Sequence, residues 1–74
     1  MEKLLSEISE QKQAKVVCLL EKDKKLASRL EEYGFVCGQT VLVVKRFKGV
    51  MLVSVRGALL GLDEKTCKRI VVCD

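Results

Sequence analysis

Residues 34–57 read GFVCGQTVLVVKRFKGVMLVSVRG, and this stretch decides the fold of the chain. It holds two apolar runs rich in valine, a residue that favours β-strands, on either side of the pair Lys48-Gly49. A two-residue turn that ends in glycine is typical of a tight β-hairpin. The stretch therefore predicts antiparallel strands over residues 39–47 and 50–56.

The turn also predicts which side chains of the hairpin are buried. Counting outward from it, Val44 opposes Val53 and Leu42 opposes Val55. Together with Met51, these residues are expected to share the face that packs in the core. The other face is more apolar than plain exposure to solvent would favour, so we expect it to be partly covered. It carries Val43, Lys45, Phe47, Val50, Leu52, Ser54 and Arg56.

A helix is predicted directly before the hairpin, over residues 24–33. Asp23 is expected to cap its amino terminus, since a carboxylate at that position accepts free backbone amides. Gly34 is expected to end it, because glycine adopts the left-handed conformation without steric cost, and Phe35 then packs back on Leu30. The helix face expected to lie on the core consists of Leu26, Leu30 and Tyr33.

Short elements are predicted on both sides of this unit. They are a helical turn near 4–10, strands over 14–20 and 58–62, a helical turn near 64–68 that Asp63 caps, and a strand over 69–73. This order predicts a mainly β fold, a small barrel with one inserted helix, built as a single domain over 1–74. Closure of the barrel is expected to remove exposed sheet edges.

The composition is that of one globular domain with an aliphatic core. Of the 74 residues, 49% are apolar and 32% are charged. Three aromatic residues are too few to form a stacking platform for single-stranded nucleic acid. The formal charge of +4 comes from cations interleaved with acids, which indicates a solvated surface. No apolar run is long enough to span a membrane and no secretory signal is evident, so we expect a cytosolic protein that does not insert into the membrane.

Four cysteines leave three interpretations open. Cys18, Cys37, Cys67 and Cys73 form no C-x-x-C pair, and the chain has no histidine to complete a mixed zinc site. In a reducing cytosol the favoured interpretation is buried or half-buried free thiols, with a disulfide or a metal site as the alternatives. The disulfide to consider would join Cys18 to Cys73, on the first and last predicted strands.

A pattern of glycines and aliphatic residues runs through nearly the whole chain. Leu30 and the segment Gly34-Phe35-Val36-Cys37-Gly38 match an L-x-x-x-G-[hydrophobic]-x-P-G turn, and Leu5-Ser6-Glu7-Ile8 matches an opening turn. A downstream pattern, I-x-I-x-V-x-G-x-x-I-x-L-x-x-x-x-A-x-x-I-x-V, is matched by Met51, Val53, Val55, Gly57, Leu60, Leu62, Cys67, Ile70 and Val72. In these motifs the sequence resembles the FeoA family, the small cytosolic partners of bacterial ferrous iron transport.

The resemblance implies an SH3-like barrel that performs no catalysis and needs no cofactor. It implies contacts with FeoB, a membrane transporter with a cytosolic GTPase domain, and regulation of that transporter. The protein would then be cytoplasmic and recruited to the inner face of the membrane by its partner. The residues implied to be structural are Leu30, Gly34, Phe35, Gly38 and Gly57.

Several positions depart from the family pattern. Cys37 stands in place of the proline of the glycine turn, and Glu10-Gln11 in place of a Pro-Gly pair, so both turns are expected to be less rigid. The hairpin tip is shortened to Phe47-Lys48-Gly49, and Asp63 replaces an arginine. Cys67 replaces a small buried alanine, which favours a core position for its thiol.

Other functions compete with the accessory role. Catalysis is not expected, because it needs a base close to its partner, and the chain has no histidine and only scattered carboxylates. A direct iron-binding carrier is one alternative, with only acids and thiols available as ligands, so no metal-binding residue is assigned. A small basic nucleic-acid-binding module is the other, in which Lys45 to Lys48 and Arg56 would contact phosphates.

The favoured hypothesis assigns the hairpin to partner binding. The residues predicted to contact the transporter are Lys45, Arg46, Phe47, Lys48, Val50, Leu52 and Arg56. Phe47 is expected to be the anchor, since a desolvated aromatic side chain often dominates the energy of an interface. The alternative is that Phe47 packs on Val50 as a cross-strand pair. A homodimer through the same face is a further alternative.

Overall fold

The computed structural model describes residues 1–74, which form six β-strands, two α-helices and one 3-10 turn. In chain order the elements are β1 (Glu2–Leu4), the 3-10 turn (Leu5–Glu7), β2 (Lys12–Leu19), α1 (Lys24–Tyr33), β3 (Thr40–Phe47), β4 (Val50–Val55), β5 (Ala58–Asp63), α2 (Glu64–Cys67) and β6 (Ile70–Cys73). The prediction of a mainly β fold with one inserted helix and two short helical turns is confirmed.

All strand pairs are antiparallel, in the sheet order β1-β6-β2-β3-β4-β5. Strand β1 was not predicted from the sequence. Its three residues pair with Val71–Cys73, so the helical turn expected near 4–10 contracts to Leu5–Glu7. The sheet keeps β1 and β5 as its two edges, so the expectation that the barrel removes exposed edges is wrong.

The register of the β3–β4 hairpin changes halfway along its length. Next to the turn, Phe47 pairs with Val50 as predicted. Beyond Lys45 the register shifts by one residue, so Val53 pairs with Val43 instead of Val44. A one-residue shift turns every later side chain to the opposite face. The predicted core positions of Leu42 and Val44 and the predicted outer position of Val43 are therefore wrong.

Residues far away in the sequence hold this bulge. The backbone amide of Gln11 donates to the carbonyl of Val43 at 2.6 Å, and the side-chain Nε2 of Gln11 donates to the carbonyl of Val44 at 2.8 Å. Gln11 itself has a left-handed backbone with φ of 64°. Because these bonds satisfy carbonyls at the bulge, the extra residue is accommodated in β3 without an orphaned polar group.

The core is aliphatic, as predicted, and consists of fifteen buried apolar residues. They are Leu5, Ile8, Ala14, Val16, Leu30, Phe35, Val41, Val43, Met51, Val53, Val55, Leu62, Cys67, Ile70 and Val72. No buried side-chain nitrogen or oxygen lacks a hydrogen-bond partner. Burial of apolar surface from strands β2 to β6 and both helices thus provides the main stabilisation of the fold.

Both ends of α1 form as the sequence predicts. Oδ1 of Asp23 accepts the backbone amides of Lys25 at 2.9 Å and Leu26 at 3.4 Å. Gly34 has φ of 119°, and the amide of Phe35 donates to the carbonyl of Leu30 at 3.0 Å. The helix therefore begins and ends through local hydrogen bonds that satisfy its free amides and carbonyls.

The predicted core face of α1 is only partly buried. Leu30 is 5% exposed, whereas Leu26 and Tyr33 are each 44% exposed. The helix is short and meets the core through Leu30 and the following Phe35, so the turns on either side of Leu30 project beyond it. The expectation that Leu26 and Tyr33 lie on the core is wrong.

Acid is expected to weaken the cap of α2. Oδ1 of Asp63 accepts the Thr66 amide at 2.8 Å, and hydrogen bonds from the Thr66 side chain and backbone lower the pKa of the Asp63 carboxyl below its ordinary value of 3.8. A lowered pKa in the folded state stabilises the fold above the pKa of the unfolded chain, and this contribution disappears as the pH falls through the folded value. Stability should therefore decrease below about pH 4.

The variant Asp63→Asn tests this expectation, because asparagine also caps a helix but does not titrate. Urea unfolding of both proteins at neutral and acidic pH would measure the difference. We expect the acid-induced loss of stability to be smaller in Asp63→Asn than in the parent. Equal losses in the two proteins would contradict the assignment to Asp63.

Candidate functional site

The tip of the β3–β4 hairpin is a tight turn at Lys48-Gly49. Lys48 and Gly49 have φ of 47° and 78°, and Phe47 pairs with Val50 directly below them. Positive φ at both central residues is the geometry of the turn that follows the natural twist of two strands. The turn therefore holds the side chains of the flanking residues in a fixed orientation.

Five residues at this tip form an exposed amphipathic surface, which we call the hairpin face. Its members are Lys45, Phe47, Lys48, Val50 and Leu52. Phe47 is 48% exposed, and Nζ of Lys45 lies 5.8 Å from the centre of its ring, within reach of a cation–π contact. Lys45 pairs with Leu52, and Phe47 with Val50, so the four side chains lie on one side of the sheet.

Val50 and Leu52 continue this face towards β5. Both are partly buried, and they lie beside Gly61, where a Cβ atom would be 3.7 Å from Leu52 and 3.8 Å from Val50. The missing side chain at Gly61 leaves a shallow hollow next to the two aliphatic groups. Phe47 pairs with Val50, the cross-strand pair that was the alternative to an anchor, and this pairing leaves its side chain 48% exposed.

Arg46 faces the opposite way from the hairpin face. Its Nη2 donates to the carbonyl of Ile8 at 2.7 Å, and its backbone amide donates to Oε2 of Glu10 at 2.8 Å. Arg46 pairs with the buried Met51, which lies on the core side of the hairpin. The guanidinium group and the backbone amide of Arg46 therefore connect β3 to the segment before β2.

Arg56 lies at the far end of β4 from the hairpin tip. It occupies the turn between β4 and β5 with φ of 52°, and its Nε donates to Oε1 of Gln39 at 3.3 Å. Six residues of β4 separate it from Lys48-Gly49, or about 20 Å at the usual rise of a strand. The structure therefore does not bring Arg56 together with the cations of the tip.

The residues predicted to be structural occupy constrained positions. Leu30 and Phe35 are in the core at 5% and 1% exposure. Gly34, Gly38 and Gly57 have φ of 119°, 91° and 80°, values that favour glycine strongly. Gly34 is also packed so closely that an added Cβ would lie 2.9 Å from Cγ2 of Val55.

All four cysteines are free, and only Cys67 is buried. The prediction of buried or half-buried thiols is wrong for Cys18, Cys37 and Cys73, which lie at solvent-facing positions of β2, of the turn after α1 and of β6. Cys18 pairs with Val71, two residues before Cys73 on the neighbouring strand, so the two Cα atoms are about 8 Å apart. This separation is too long for the disulfide that was considered.

The thiols are expected to differ sharply in reactivity. Burial raises the pKa of the Cys67 thiol to about 12, and a thiol reagent attacks the thiolate. In the native protein an aromatic disulfide reagent should modify Cys18, Cys37 and Cys73 rapidly and Cys67 only after unfolding. Counting the thiols before and after addition of denaturant measures this. The control is Cys67→Ala, which should lack the slow thiol; four rapidly reacting thiols in the parent would contradict the expectation.

No group of three or more cysteine, aspartate or glutamate side chains converges where a metal ion could be held. Neither α-helix has the length and apolar character needed to cross a bilayer.

Sequence reasoning missed a second exposed feature, a groove between α1 and β5. Its lining includes Leu26, Arg29, Tyr33, Gly61 and Leu62. The helical spacing of Leu26 and Tyr33 indicated a core face, because periodicity alone does not show how far a helix extends beyond the core. No residue pattern within α1 itself distinguishes a helix face that lies on the core from one that extends beyond the core.

This chain is similar to a known protein family and to several solved structures. The family model for the FeoA domain matches residues 3–73. FeoA from Stenotrophomonas maltophilia, solved as a complex with zinc and described as a prokaryotic SH3 domain protein, is 32% identical to this chain. The two superpose with a TM-score of 0.85 over 95% of this chain and 88% of that one. The SH3-like fold expected from the sequence is therefore confirmed.

More distant structures share the fold. An iron uptake regulatory protein (FeoA) is 24% identical, with a TM-score of 0.86 over 99% of this chain and 96% of that one. A manganese-dependent transcriptional repressor is 17% identical, with a TM-score of 0.87 over 99% of this chain but 41% of its own length. Comparison with curated protein sequences gives no significant match.

Proposed function

Because the chain belongs to the FeoA family, we propose that it is a non-catalytic accessory protein of bacterial ferrous iron uptake that binds and regulates a FeoB-like transporter. The family match over residues 3–73 supports the link to ferrous iron transport. The FeoA of Stenotrophomonas maltophilia, at 32% identity, is described as a candidate activating factor of bacterial ferrous iron transport. In this proposal the protein is cytoplasmic and is recruited to the inner face of the membrane by the cytosolic GTPase portion of its partner.

The observation that carries the proposed contact is the half-exposed Phe47 beneath Lys45 on the hairpin face. An exposed aromatic ring next to aliphatic side chains offers apolar area, and Lys45 and Lys48 add positive charge at its rim. Anchors of this kind commonly dominate binding because they lose water from a large surface at little cost in side-chain entropy. The hairpin face therefore suits an acidic and partly apolar surface on the transporter.

The hairpin face is also held rigidly, which favours binding. The Lys48-Gly49 turn fixes its tip, and the bonds from Gln11 and Arg46 connect β3 to the segment before β2. A surface that is ordered before binding avoids part of the entropy cost of association.

The role is proposed as non-catalytic because the chain has no histidine to act as a general base, and several of its acidic groups have structural roles. The carboxylate of Glu21 accepts from Arg69 at 3.0 Å, Asp63 caps α2, and Asp74 forms an ion pair with Lys3 at 2.9 Å. The buried thiol of Cys67 has a pKa of about 12 and so remains protonated at neutral pH.

A binding titration with the cytosolic part of the cognate transporter tests the proposal. We expect saturable binding that Phe47→Ala and Lys45→Glu each weaken about tenfold or more, which corresponds to about 1.4 kcal/mol. Lys15→Glu is the control, because it makes the same charge change on β2 opposite Thr40, at the end of β3 that is far from the hairpin tip. Circular dichroism would establish that all variants fold.

Two results would contradict parts of the proposal. Transporter binding that is equal in the parent, Phe47→Ala and Lys45→Glu would exclude the hairpin face. No transporter binding, together with oligonucleotide binding that weakens steeply with salt, would replace the accessory role by that of a nucleic-acid-binding module.

A further inference from the structure

Strand β5 is an edge strand without a neighbour on its outer side. The sheet order places β4 on one side of it and no strand on the other. Val55 and Ala58 flank the two-residue turn that joins β4 to β5, so they form a hydrogen-bonded pair of the ladder. Hydrogen-bonded and non-bonded pairs alternate along an antiparallel ladder. The backbone N–H and C=O groups of Leu59 and Gly61 therefore point to the open edge.

These edge groups have no partner within the protein. No hydrogen bond outside the strand ladders and no side-chain hydrogen bond involves Leu59, Leu60 or Gly61. The sequence of β5, ALLGLD, also lacks the lysine or proline residues that usually protect an edge. At the opposite edge, β1 is only three residues long, and short edge strands pair poorly with other chains.

An apolar groove of about 200 Å³ runs beside this edge, between β5 and α1. Leu30 and Leu62 are buried in the core beneath it, and the partly exposed Leu26 and Tyr33 stand along the helix side. In a strand added to β5, alternate side chains would point towards the core side of the sheet, which is the side on which this groove lies. The edge supplies hydrogen bonds and the groove supplies a pocket, which are the two parts of strand-addition recognition.

The charges in the groove favour an acidic occupant. Glu21 is neutralised by Arg69, whose Nη1 donates to both carboxylate oxygens at 3.0 and 3.1 Å. Asp63, which caps α2, does not line the groove. Arg29, by contrast, forms no ion pair, because the two ion pairs of the protein involve other residues. The groove therefore offers one free cation beside its apolar surface.

We propose that the open edge of β5 and the groove along α1 bind an extended acidic and apolar segment of the partner, which adds to the sheet as a further strand. One apolar side chain of that segment lies between Leu26 and Tyr33, and a neighbouring carboxylate pairs with Arg29. This assignment rests on the proposed function for the identity of the partner. It adds a second contact, distinct from the hairpin face and adjoining it through Gly61.

A second copy of this chain fits the same edge less well. In a symmetric pair of β5 strands each copy would offer the sequence ALLGLD, whose one acidic residue, Asp63, already caps α2. Such a pair would also bring two like-charged Arg29 side chains towards one interface, whereas the one carboxylate of the strand, Asp63, is at the end of β5 and outside the groove. Like charges that meet without compensation disfavour association.

The variant pair Gly61→Pro and Gly61→Ala isolates the contribution of the edge. Proline removes the outward N–H, which is not part of the ladder with β4, and proline is tolerated at such positions of an edge strand. Alanine keeps the N–H, and its Cβ would be in ordinary contact with Leu52 at 3.7 Å. We expect Gly61→Pro and Arg29→Glu to weaken binding of the transporter's cytosolic part about tenfold, and Gly61→Ala to bind within about twofold of the parent.

Synthetic peptides test the same site without the transporter. The probes are a peptide that alternates valine with glutamate, one that alternates valine with lysine, and a proline-interrupted version of the first. Amide chemical shifts of the labelled protein report where each binds. We expect the valine–glutamate peptide alone to shift Leu59, Gly61 and the residues of α1.

The outcomes separate this inference from the proposed function. If the transporter binds and depends on Phe47, but neither Gly61→Pro nor Arg29→Glu weakens it and no peptide shifts β5, the accessory role stands and the strand-addition site is overturned. If the transporter does not bind but the valine–glutamate peptide shifts β5 and α1, the proposed partner is wrong and the groove's specificity is supported. If the protein dimerises by itself and Gly61→Pro abolishes the dimer, the inference is overturned, and the segment that occupies the edge belongs to a second copy of the chain.

Discussion

Phe35→Ala is expected to lower the free energy of unfolding by about 3–5 kcal/mol, the usual loss when a buried phenylalanine is truncated. Phe35 is 1% exposed and is the largest fully buried side chain of the core. It follows directly after the end of α1, so its removal also weakens the attachment of that helix. Small domains have unfolding free energies near the lower end of the range of about 5–15 kcal/mol, so the variant should be close to its unfolding midpoint at ambient temperature.

Phe47→Ala provides the matched control, because it makes the same chemical change at a side chain that is 48% exposed. We expect Phe47→Ala to cost less than about 1.5 kcal/mol, since much of its ring is already in contact with water. Urea unfolding followed by circular dichroism measures both losses. Equal losses for the two variants would mean that Phe35 does not have the central place in the core described above.

Gly34→Ala is expected to cost about 2–4 kcal/mol, through two separate effects. The first is the backbone, because φ of 119° is unfavourable for any residue with a Cβ atom. The second is space, because the added Cβ would lie 2.9 Å from Cγ2 of Val55 and 3.0 Å from Cδ of Arg56. Arg56 can move, but Val55 is buried in the core and is 1% exposed, so relief requires a shift of packed atoms.

Gly38→Ala separates these two effects. Gly38 has φ of 91°, and a Cβ atom there would meet no other atom within 4 Å. Its substitution should therefore cost only the backbone contribution, about 1–2 kcal/mol. The difference between the two variants in thermal or urea unfolding measures the cost of the contact with Val55. No difference would indicate that the core adjusts to the added methyl group without loss.

Three hydrogen bonds explain how one departure from the family pattern, the turn at Glu10-Gln11, is accommodated. The turn at Glu10-Gln11 was expected to be less rigid because it lacks a Pro-Gly pair. In the structure, Gln11 adopts φ of 64° and donates to the carbonyls of Val43 and Val44, while Glu10 accepts from the amide of Arg46. These bonds fasten the turn to β3, in a way that a Pro-Gly pair, which has no side-chain donor, would not provide.

The candidate site was predictable only in part. The hairpin tip, its tight turn and the exposure of Phe47 follow from residues close together in the sequence. The sequence grouped Lys45, Arg46 and Arg56 into one basic patch, but the structure separates them, because Arg46 points inward to Ile8 and Arg56 lies at the other end of β4. The groove beside α1 and the open edge of β5 had no sequence signal of their own.

What the sequence determined by itself is local. The bounds of α1, its cap at Asp23, its end at Gly34 and the turn at Lys48-Gly49 depend on hydrogen bonds and backbone preferences among residues a few positions apart, and the sequence displays these directly. The mainly β class follows from the alternation of apolar residues, which is a local property as well.

What only the tertiary structure decided depends on contacts between distant parts of the chain. The register of β3 changes because Gln11, 33 residues before Val44, bonds to the bulge. Leu26 and Tyr33 remain exposed, and β5 keeps an open edge, because of where the other strands and the core end. Local patterns establish that a side chain can be buried, but burial itself requires a neighbour, and the folded chain alone determines where the neighbours are.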